Sequence, residues 1–330
     1  MTILVTGGAG YIGSHTVRLL REQGYDVVVL DSLEFGHRQA IGDVPLVVGD
    51  VADGVLVQDT IAAHGVEAVI HFAGYKAARE SMENPGRYFV NNVAGTARML
   101  ESLSRSGVRK VVFSSSCSVY GTPDRLPVGE DQEVRPVSPY GQSKAIVEQM
   151  LHWYDVCHGL RSVSLRYFNA AGASLDAAIG EDWSATFCLV PLVMKALLGR
   201  GQKLQLYGTD YPTPDGSAIR DYIHVCDLAD AHVRALEHLA SGGETVALNV
   251  GTGSGSSVRQ VIEAAEAVAG RPVPVELCPR RAGDPVAVYA DNTRVRQLLE
   301  WSPKFGLTEI VSTAWRWHST HPEGYTDKPS

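Results

Sequence analysis

Three residues whose side chains could together remove a proton from an alcohol lie in one stretch of the chain: Ser116, Tyr140 and Lys144. Tyr140 and Lys144 are four residues apart, so on a helix they share one face and lie one turn from each other. Pro139 suits the first turn of that helix, and Ser138 can cap it. A phenol is a poor base near neutral pH because its ordinary pKa is about 10, but a neighbouring ammonium lowers that pKa. The pattern predicts a tyrosine base, a lysine that tunes it and a serine that holds a substrate oxygen.

A tyrosine and a lysine one turn apart are common on helices, and most such pairs are a packed ring beside a solvated amine. The rest of the chain must therefore support a catalytic role. Lowering a phenol pKa by several units needs more than one cation, because each unit corresponds to about 1.4 kcal/mol. A bound oxidised nicotinamide ring would supply a second positive charge beside Tyr140.

A glycine-rich loop near the start of the chain has the spacing of a dinucleotide-binding turn. Gly7, Gly10 and Gly13 follow a short apolar run and precede a helical pattern, and Asp31 closes the next apolar run. Glycines at this spacing let the backbone approach a pyrophosphate, which the helix N-terminus then binds. A carboxylate at Asp31 would accept hydrogen bonds from ribose hydroxyls and disfavour a 2′-phosphate. Arg38 could favour NADP, but a loop arginine is more often solvated, so the sequence predicts NAD.

β-branched runs alternate with amphipathic helical patterns along the first half of the chain. The predicted strands are 3–5, 27–30, 46–48, 69–72, 111–113 and 163–165, and the predicted helices lie near 55–64, 88–106 and 139–158. This alternation predicts an α/β fold built on a Rossmann-type doubly wound parallel sheet. Ligands of such sheets bind beyond the carboxyl ends of the strands. Polar segments follow several of the predicted strands there.

The pattern changes at about residue 170, where turn-rich loops appear. The predicted helices beyond this point lie near 188–199, 228–240, 257–269 and 307–319, and the predicted strands are 204–207 and 245–250. We therefore expect an NAD-binding domain at 1–170 and a smaller α/β substrate lobe at 171–330, partly interleaved with the first. Arg220 and Arg281 are candidates to clamp a diphosphate, although loop arginines are usually solvated or paired with acids.

Composition and charge exclude several classes of protein. The 330-residue chain has a formal net charge of −8 and no basic stripe, which argues against nucleic acid as a general partner. It contains no apolar run near the roughly 20 residues that a membrane span needs, and no signal peptide pattern. Five scattered cysteines without CxxC spacing predict reduced thiols in a cytoplasmic protein. The histidines show no HxH or HExxH pattern, so we expect no metal.

Several motifs together resemble one enzyme family over essentially the whole chain. They are TGGAGYIGSH at 6–15, FAGYKA at 72–77, SSSCSVYG at 114–121, SPYGQSK at 138–144, RYFNAAG at 166–172, YPTPDGSAIRDYIHV at 211–225 and PRRAGD at 279–284. The chain is similar to the extended short-chain dehydrogenases/reductases and, within them, to the UDP-glucose 4-epimerases. The glycine loop marks only the superfamily, whereas the segments at 211–225 and 279–284 are much more specific.

The resemblance implies a role for individual residues of this chain. Tyr140 would be the base, Lys144 would also bind the nicotinamide ribose, and Ser116 would hold the sugar hydroxyl. The implied NAD contacts are Gly7, Gly10, Tyr11, Ile12, Gly13, Asp31, Ser32, Leu33, Glu34, Phe35, Gly36, Asp50, Val51, Phe72, Ala73, Gly74, Lys76, Asn91, Ser114, Tyr140, Lys144 and Phe168. The implied UDP-sugar contacts are Lys76, Ser116, Tyr140, Asn169, Cys188, Leu189, Gln205, Leu206, Tyr207, Arg220, Arg281, Asp284 and Val288.

The resemblance also implies a reaction and an assembly. UDP-galactose and UDP-glucose would be interconverted by transient oxidation at C4, rotation of the 4-keto sugar and return of the hydride, with NAD retained throughout. Relatives often form homodimers through two helices, here near 88–106 and 141–158. Two departures stand out: Cys188 replaces an Asn or His of the family, and Val288 replaces a tyrosine that some members carry. A valine there would leave room for an N-acetylated sugar.

Other readings remain open at this point. A nucleotide-sugar 4,6-dehydratase would need an Asp-Glu pair where Cys117 and Ser118 stand. An enzyme acting on UDP-glucuronate, as an epimerase or by decarboxylation, would want a cation for the carboxylate, and the sequence does not identify one. A non-catalytic NAD-binding sensor would typically lose the Tyr-x-x-x-Lys pair, which this chain keeps.

Overall fold

The β-branched runs of the first half form a parallel sheet in the computed structural model, which describes residues 1–183, 186–281 and 283–327. The strands of the chain are β1 (Thr2–Thr6), β2 (Asp26–Asp31), β3 (Leu46–Val48), β4 (Val66–His71), β5 (Lys110–Ser114), β6 (Arg161–Tyr167), β7 (Asn169–Ala171), β8 (Leu204–Tyr207), β9 (Ile219–Arg220), β10 (Tyr222–His224), β11 (Val246–Val250), β12 (Ser256–Ser257), β13 (Val275–Cys278) and β14 (Ala287–Val288). Within the described residues, seven of them make one sheet in the order β11-β6-β5-β4-β1-β2-β3.

All neighbouring strands of this sheet are parallel. The order β3-β2-β1-β4-β5-β6 is that of a Rossmann fold. Strands β1 to β3 are added toward one edge of the sheet and β4 to β6 toward the other, so the direction of winding reverses between β1 and β4. A crevice forms outside the carboxyl ends of the strands at such a reversal, and ligands bind there. The predicted fold class is therefore confirmed, and the crevice is where the candidate site must be sought.

Helices cover both faces of the sheet. They are α1 (Tyr11–Glu22), α2 (Gly54–His64), α3 (Ala78–Glu83), α4 (Pro85–Tyr88), α5 (Thr96–Arg105), α6 (Pro139–His158), α7 (Leu189–Leu197), α8 (Val225–Ala240), α9 (Val258–Ala269), α10 (Thr293–Leu299) and α11 (Leu307–Thr320). One buried cluster joins the sheet to α1, α8 and α10, and a second joins its other face to α2, α5 and α6. The two clusters fix the strand ends that carry the site.

Local sequence accounts for where these helices begin and end. Ser138 caps α6, its hydroxyl accepting a hydrogen bond from the Gly141 N–H at 3.1 Å, and Pro139 occupies the first turn as predicted. Gly159 ends α6 in the left-handed conformation that glycine adopts without strain. The helix predicted near 88–106 consists of α4, a π-helical segment (Phe89–Gly95) and α5.

The later part of the chain both extends the main sheet and forms a second cluster. β11 pairs with β6 at the edge of the sheet, and α8 packs against α1. A separate buried cluster joins α7, α9 and α11 to β8. The division at residue 170 stays a prediction, with β11 and α8 as the interleaved part. Among the described residues, none of the helices combines the length and apolarity that a membrane crossing requires.

Candidate active site

Ser116, Tyr140 and Lys144 are buried together at the carboxyl edge of the sheet, with 6%, 7% and 5% of their surfaces exposed. α6 presents Tyr140 and Lys144 on one face, so that the lysine Nζ lies 6.0 Å from the centre of the tyrosine ring. The same Nζ donates to the Ser114 carbonyl oxygen at 2.8 Å, which anchors the lysine to the end of β5. The three side chains predicted from their types and spacing are therefore neighbours in space.

Ser116 owes its orientation to the turn that follows β5. It caps a 3₁₀ turn (Cys117–Tyr120), and its Oγ accepts a hydrogen bond from the Ser118 N–H at 3.1 Å. The same hydroxyl lies close enough to Tyr140 to act against the rise in the pKa of its phenol. A hydroxyl fixed in this way can hold an oxygen of a bound alcohol next to the phenol.

Burial dominates the electrostatics of the pair on α6. It raises the pKa of Tyr140 well above its ordinary value, and the nearby Tyr167 phenol adds to that rise, while the Ser116 hydrogen bond opposes it. Burial also lowers the pKa of Lys144 to about 8, against the opposing charge of Glu148. The side chains of the protein alone therefore do not turn Tyr140 into a base. The expected lowering of its pKa requires a further positive charge beside the phenol.

The glycine loop between β1 and α1 fits a dinucleotide. Gly7 has a φ of +69°, and a Cβ on Gly13 would lie 2.4 Å from the Gly7 carbonyl oxygen, so neither position tolerates a side chain. Gly10 caps α1 without a side-chain hydrogen bond, which leaves the N-terminal N–H groups open to an anion. These glycines form the tight, exposed backbone turn that a pyrophosphate needs.

Asp31 ties the end of β2 to the glycine loop. Its Oδ2 accepts from the Ala9 N–H and its Oδ1 from the Leu33 N–H, each at 2.9 Å. Burial raises the pKa of this carboxyl, against the effect of those two N–H groups. Each carboxylate oxygen keeps a second lone pair, so Asp31 can also accept from ribose hydroxyls as predicted.

The other predicted cofactor contacts follow neighbouring strands at the same edge of the sheet. Residues 31–36 follow β2, residues 50–51 follow β3, residues 72–76 follow β4 and Phe168 follows β6. The structure thus brings these segments to one rim. Their contacts with a cofactor stay predictions. Across residues 1–183, 186–281 and 283–327, no three His, Cys, Asp or Glu side chains could together hold a metal ion.

Two polar side chains at this rim were not predicted from the sequence. Asn92, in the π-helical segment, accepts from the Tyr75 N–H at 2.8 Å and donates to the Ser143 hydroxyl at 3.0 Å, so it joins the 72–76 segment to α6. Glu181 lies 3.4 Å from the Lys76 Nζ and accepts from the Thr186 hydroxyl at 2.9 Å. No pattern in the sequence indicates either residue, because both contacts depend on the packing of distant segments.

Lys76 keeps its positive charge at this rim. Partial desolvation of its ammonium group would lower its pKa, but the neighbouring Glu181 carboxylate outweighs that effect and the net direction is upward. The ammonium group is therefore available to anionic or hydroxyl groups of a ligand. Its predicted double role toward cofactor and substrate stays a prediction.

The predicted substrate contacts of the second lobe lie partly on a small sheet made by β9, β12 and β14. Val288 on β14 pairs with Arg220 on β9, and Arg220 forms an ion pair with Asp284 at 2.6 Å. The Arg281 guanidinium lies 3.8 Å from the centre of the Tyr207 ring. The structure therefore stacks one arginine on an aromatic ring and pairs the other with a carboxylate. Their binding of a diphosphate stays a prediction. Ala282, between Arg281 and Asp284, lies outside the described residues.

Some predicted substrate residues cannot use their side chains for binding. Leu206 on β8 is 1% exposed and packs into the core of the second lobe, so only its backbone can face a ligand. Leu189 begins α7 and packs partly into the same core. Cys188 and Gln205 are exposed, and the Asn169 amide donates to the Asp221 carbonyl oxygen at 3.0 Å.

Comparison with known proteins decides the family. A model described as the NAD dependent epimerase/dehydratase family matches residues 3–251. The chain belongs to this family. The resemblance inferred from the motifs is thereby confirmed.

Relatives within the family match over almost the full length. A UDP-glucose 4-epimerase of Halalkalibacterium halodurans is 46% identical over 327 residues, covering 99% of this chain and 98% of that protein. The crystal structure of UDP-glucose 4-epimerase from Brucella ovis in complex with NAD has a TM-score of 0.94 at 46% identity, covering 96% of this chain and 97% of that one. The UDP-Glc/GlcNAc 4-epimerase from Campylobacter jejuni has a TM-score of 0.86 at 38% identity, covering 97% and 99%.

The two side chains that follow Ser116 distinguish an epimerase from a dehydratase, the two activities in the family's description. A dehydratase would need an acid and a base directly after the active-site hydroxyl. Burial raises the pKa of Cys117 to about 12, and the Ser118 hydroxyl accepts from Ser116 at 3.1 Å. Neither group titrates near neutral pH, so the site of this epimerase/dehydratase family member is built for oxidation and reduction without loss of water.

A buried ion pair supports the site from behind. The Glu148 carboxylate accepts from the Arg166 guanidinium at 2.5 Å and from the Ser115 hydroxyl at 2.5 Å, and both charged side chains are nearly buried. It thereby links α6, one turn beyond Lys144, to β5 and β6. Glu148→Ala should lower the free energy of unfolding by about 3–5 kcal/mol, because it leaves a buried guanidinium unpaired.

Urea unfolding of both proteins measures this loss. Glu101→Ala is the matched control, since Glu101 pairs with Arg105 on the exposed face of α5. That change should cost less than about 1 kcal/mol. Equal small losses in the two variants would show that the buried pair does not support the site.

Proposed function

We propose that this chain is an epimerase that interconverts UDP-galactose and UDP-glucose with bound NAD. The observation that carries the proposal is the buried group of Ser116, Tyr140 and Lys144 beside a dinucleotide-binding turn. Such a group oxidises an alcohol, and the second lobe adds arginines suited to a diphosphate. The full-length similarity to UDP-glucose 4-epimerases supports this choice of substrate.

NAD, held by the glycine loop and Asp31, would supply the acceptor for the hydride of C4 and the donor for its return to the opposite face of the sugar. Tyr140 takes the proton of the 4-hydroxyl, and Ser116 holds that oxygen beside the phenol. Lys144 keeps a positive charge behind the tyrosine, which favours the phenolate once a second cation is present. When the hydride returns, Tyr140 gives the proton back, so the protein is ready for another turnover.

Epimerisation needs a ligand held firmly at one end and loosely at the other, because the 4-keto sugar must rotate before the hydride returns. Arg220 and Arg281 can hold the diphosphate by charge-assisted hydrogen bonds. The groups near the sugar, Ser116, Cys117 and Val288, carry no charge. This distribution supports a reaction in which the sugar rotates while the nucleotide stays in place.

The proposal is tested by adding UDP-galactose to purified protein without added NAD and following UDP-glucose by chromatography. We expect conversion, because the cofactor is regenerated in each turnover and should stay bound. UDP-glucuronate serves as the competing substrate. Turnover of the uronic sugar alone would overturn the assignment, and NAD binding without turnover of either would identify a sensor.

Val288 favours a second substrate class, the N-acetylated UDP-sugars. Val288 packs against a small buried cluster, and so does Cys117, the residue that follows Ser116. A valine leaves space there that a larger side chain would fill. The likeness to the Campylobacter jejuni UDP-Glc/GlcNAc 4-epimerase supports this second activity.

Val288→Tyr should reduce turnover of UDP-N-acetylglucosamine by roughly 100-fold, the size of a steric misfit in a pocket, while sparing UDP-galactose. The measurement is kcat/KM for both substrates. Val286→Tyr is the matched control, because Val286 is 36% exposed on the same segment. Undetectable turnover of the N-acetylated sugar by the unmodified protein would end this second proposal.

We also propose a cytoplasmic homodimer. The helical region from α4 to α5, together with α6, exposes Phe89, Val90, Trp153 and Val156, of which Val90 is 70% exposed. Large apolar side chains on two adjoining helices are suited to a partner surface. The five cysteines, all within the described residues, are free thiols, as in a reducing compartment. Light scattering of the purified protein tests the dimer.

A further inference from the structure

His37 joins three segments that are far apart in sequence. It is 4% exposed and follows residues 31–36, the segment predicted to contact the cofactor. Its backbone N–H donates to the Ala9 carbonyl oxygen of the glycine loop at 2.9 Å. Its Nε2 lies 2.9 Å from Asp182 Oδ2, and its Nδ1 lies 3.0 Å from the Asp327 carbonyl oxygen and 3.2 Å from Asp327 Oδ1.

These contacts determine the protonation state of His37. Both ring nitrogens face groups that only accept hydrogen bonds, two carboxylates and a carbonyl oxygen, so both must donate. Only the imidazolium form has two N–H donors. Among the described residues, the Tyr325 phenol is stacked on the ring at 4.4 Å, and the Asp31 carboxyl lies behind the glycine loop.

The direction in which the pKa of His37 is shifted agrees with this geometry. Burial alone would lower its pKa, but the hydrogen bonds and charges of Asp182 and Asp327 outweigh burial, so the pKa is raised above the ordinary value near 6.5. The stabilising contacts are therefore complete below about pH 6.5 and are lost as the pH rises through the raised pKa.

Residues 321–327, which follow α11, form a strap that runs over His37. Asp327 Oδ2 accepts from the Gln39 N–H at 2.7 Å, and the Thr326 N–H donates to the Gln39 side chain at 3.0 Å. The Tyr325 hydroxyl donates to the Gly180 carbonyl oxygen at 3.0 Å and accepts from the Gly180 N–H at 3.2 Å. The strap therefore grips both the 37–39 segment and the 180–182 segment.

Both segments that the strap grips carry groups facing the cofactor site. On one side, His37 holds Ala9, whose N–H in turn binds Asp31. On the other side, Glu181 lies between the gripped residues Gly180 and Asp182 and pairs with Lys76. Release of the strap would thus make the 37–39 and 180–182 segments beside the site less rigid, although the strap contacts no reacting group.

We propose that His37 and the strap form a latch that slows the loss of NAD and opens when His37 loses its proton. The identity of the cofactor rests on the proposed function, whereas the latch rests on the contacts of His37. His37 is a positioning residue: it acts through the glycine loop and through the segment that holds Lys76.

The test is the rate at which bound NAD leaves the intact protein, measured between about pH 6 and about pH 9, on either side of the ordinary histidine pKa. Labelled NAD is chased with unlabelled NAD and separated by rapid gel filtration. The release rate of the unmodified protein should rise roughly tenfold on the alkaline side, the effect of losing one charge-assisted hydrogen bond. His37→Asn should release NAD rapidly at every pH, with a flat profile.

Two further variants separate the latch from a general loss of folding. Asp327→Asn should release NAD faster than the unmodified protein and should lower the His37 pKa observed by NMR. His64→Asn, at an exposed position on α2, should behave like the unmodified protein. The melting temperature of each variant at neutral pH checks that it is folded.

Two results would overturn the latch: a His37→Asn variant with the same pH profile as the unmodified protein, or a His37 that titrates at or below its ordinary pKa. A protein that binds no NAD would instead overturn the proposed function together with the cofactor half of this inference. The NMR titration and the pH dependence of proteolysis within residues 321–327 would then decide whether the latch itself exists.

Discussion

Tyr140→Phe is expected to reduce the conversion of UDP-galactose to UDP-glucose by roughly 1,000-fold, the usual range for loss of a general acid–base group. The phenol is buried with Ser116 at the carboxyl edge of the sheet, where it can take the proton of the sugar hydroxyl. The ring itself should stay in place, because it packs edge-on against Tyr88 at 6.4 Å. The backbone N–H of residue 140 also keeps its hydrogen bond to the Ser81 hydroxyl.

The measurement is kcat for both proteins, with bound NAD and melting temperature as controls for folding. Tyr154→Phe is the matched control on the same helix, since its hydroxyl lies at the surface, 3.4 Å from Glu101. That variant should keep nearly full activity. A Tyr140→Phe protein that retains more than a tenth of the activity would show that another group carries the proton.

Gly13→Ala is expected to abolish retention of NAD and to lower the free energy of unfolding by about 3 kcal/mol, as overpacking against fixed atoms does. The added Cβ would lie 2.4 Å from the Gly7 carbonyl oxygen and 2.8 Å from the Gly8 Cα. Both are backbone atoms, so neither can swing aside. Relief requires the glycine loop to move away from α1, which would spoil the turn that binds the pyrophosphate.

Bound NAD in the purified variant, read from its absorbance after denaturation, and unfolding in urea together test this expectation. Gly86→Ala is the control, because a Cβ at that position meets no atom within 4 Å. It should be neutral or slightly stabilising. Normal NAD content in Gly13→Ala would mean that the loop is not the pyrophosphate site.

The sequence predicted well those parts of the site that depend on local patterns. The glycine spacing required a tight turn between β1 and α1, and Ser138-Pro139 defined the start of α6 to the residue. The doubly wound parallel sheet followed from alternating β-branched runs and helices. Local chemistry was therefore enough to bring Tyr140 and Lys144 to the carboxyl edge of the sheet.

Contacts between distant segments could not be predicted in this way. His37 and Asp327 are 290 residues apart, and Lys76 and Glu181 are 105 residues apart. No period or spacing encodes such pairs, because they depend on how α11 and the 180–182 segment pack on the sheet. The short strands β9 and β14 were missed for a similar reason, since each has two residues and is defined only by its partner.

Burial also changes the role that single residues can have. The spacing of Tyr140 and Lys144 suggested a lysine that lowers the phenol pKa, but Lys144 is itself buried and bound to the Ser114 carbonyl oxygen. Leu206 matched a substrate position, yet its side chain points into the core of the second lobe. Sequence matching gives a position along the chain, whereas the direction of a side chain depends on the packing around it.

In the proposed reaction, the hydride removed from C4 returns to the same carbon within one protein. UDP-galactose carrying deuterium at C4, mixed with purified protein without added NAD, tests this return. We expect UDP-glucose that keeps the deuterium at C4, as detected by NMR and mass spectrometry. UDP-glucose that has lost the deuterium to solvent would contradict it.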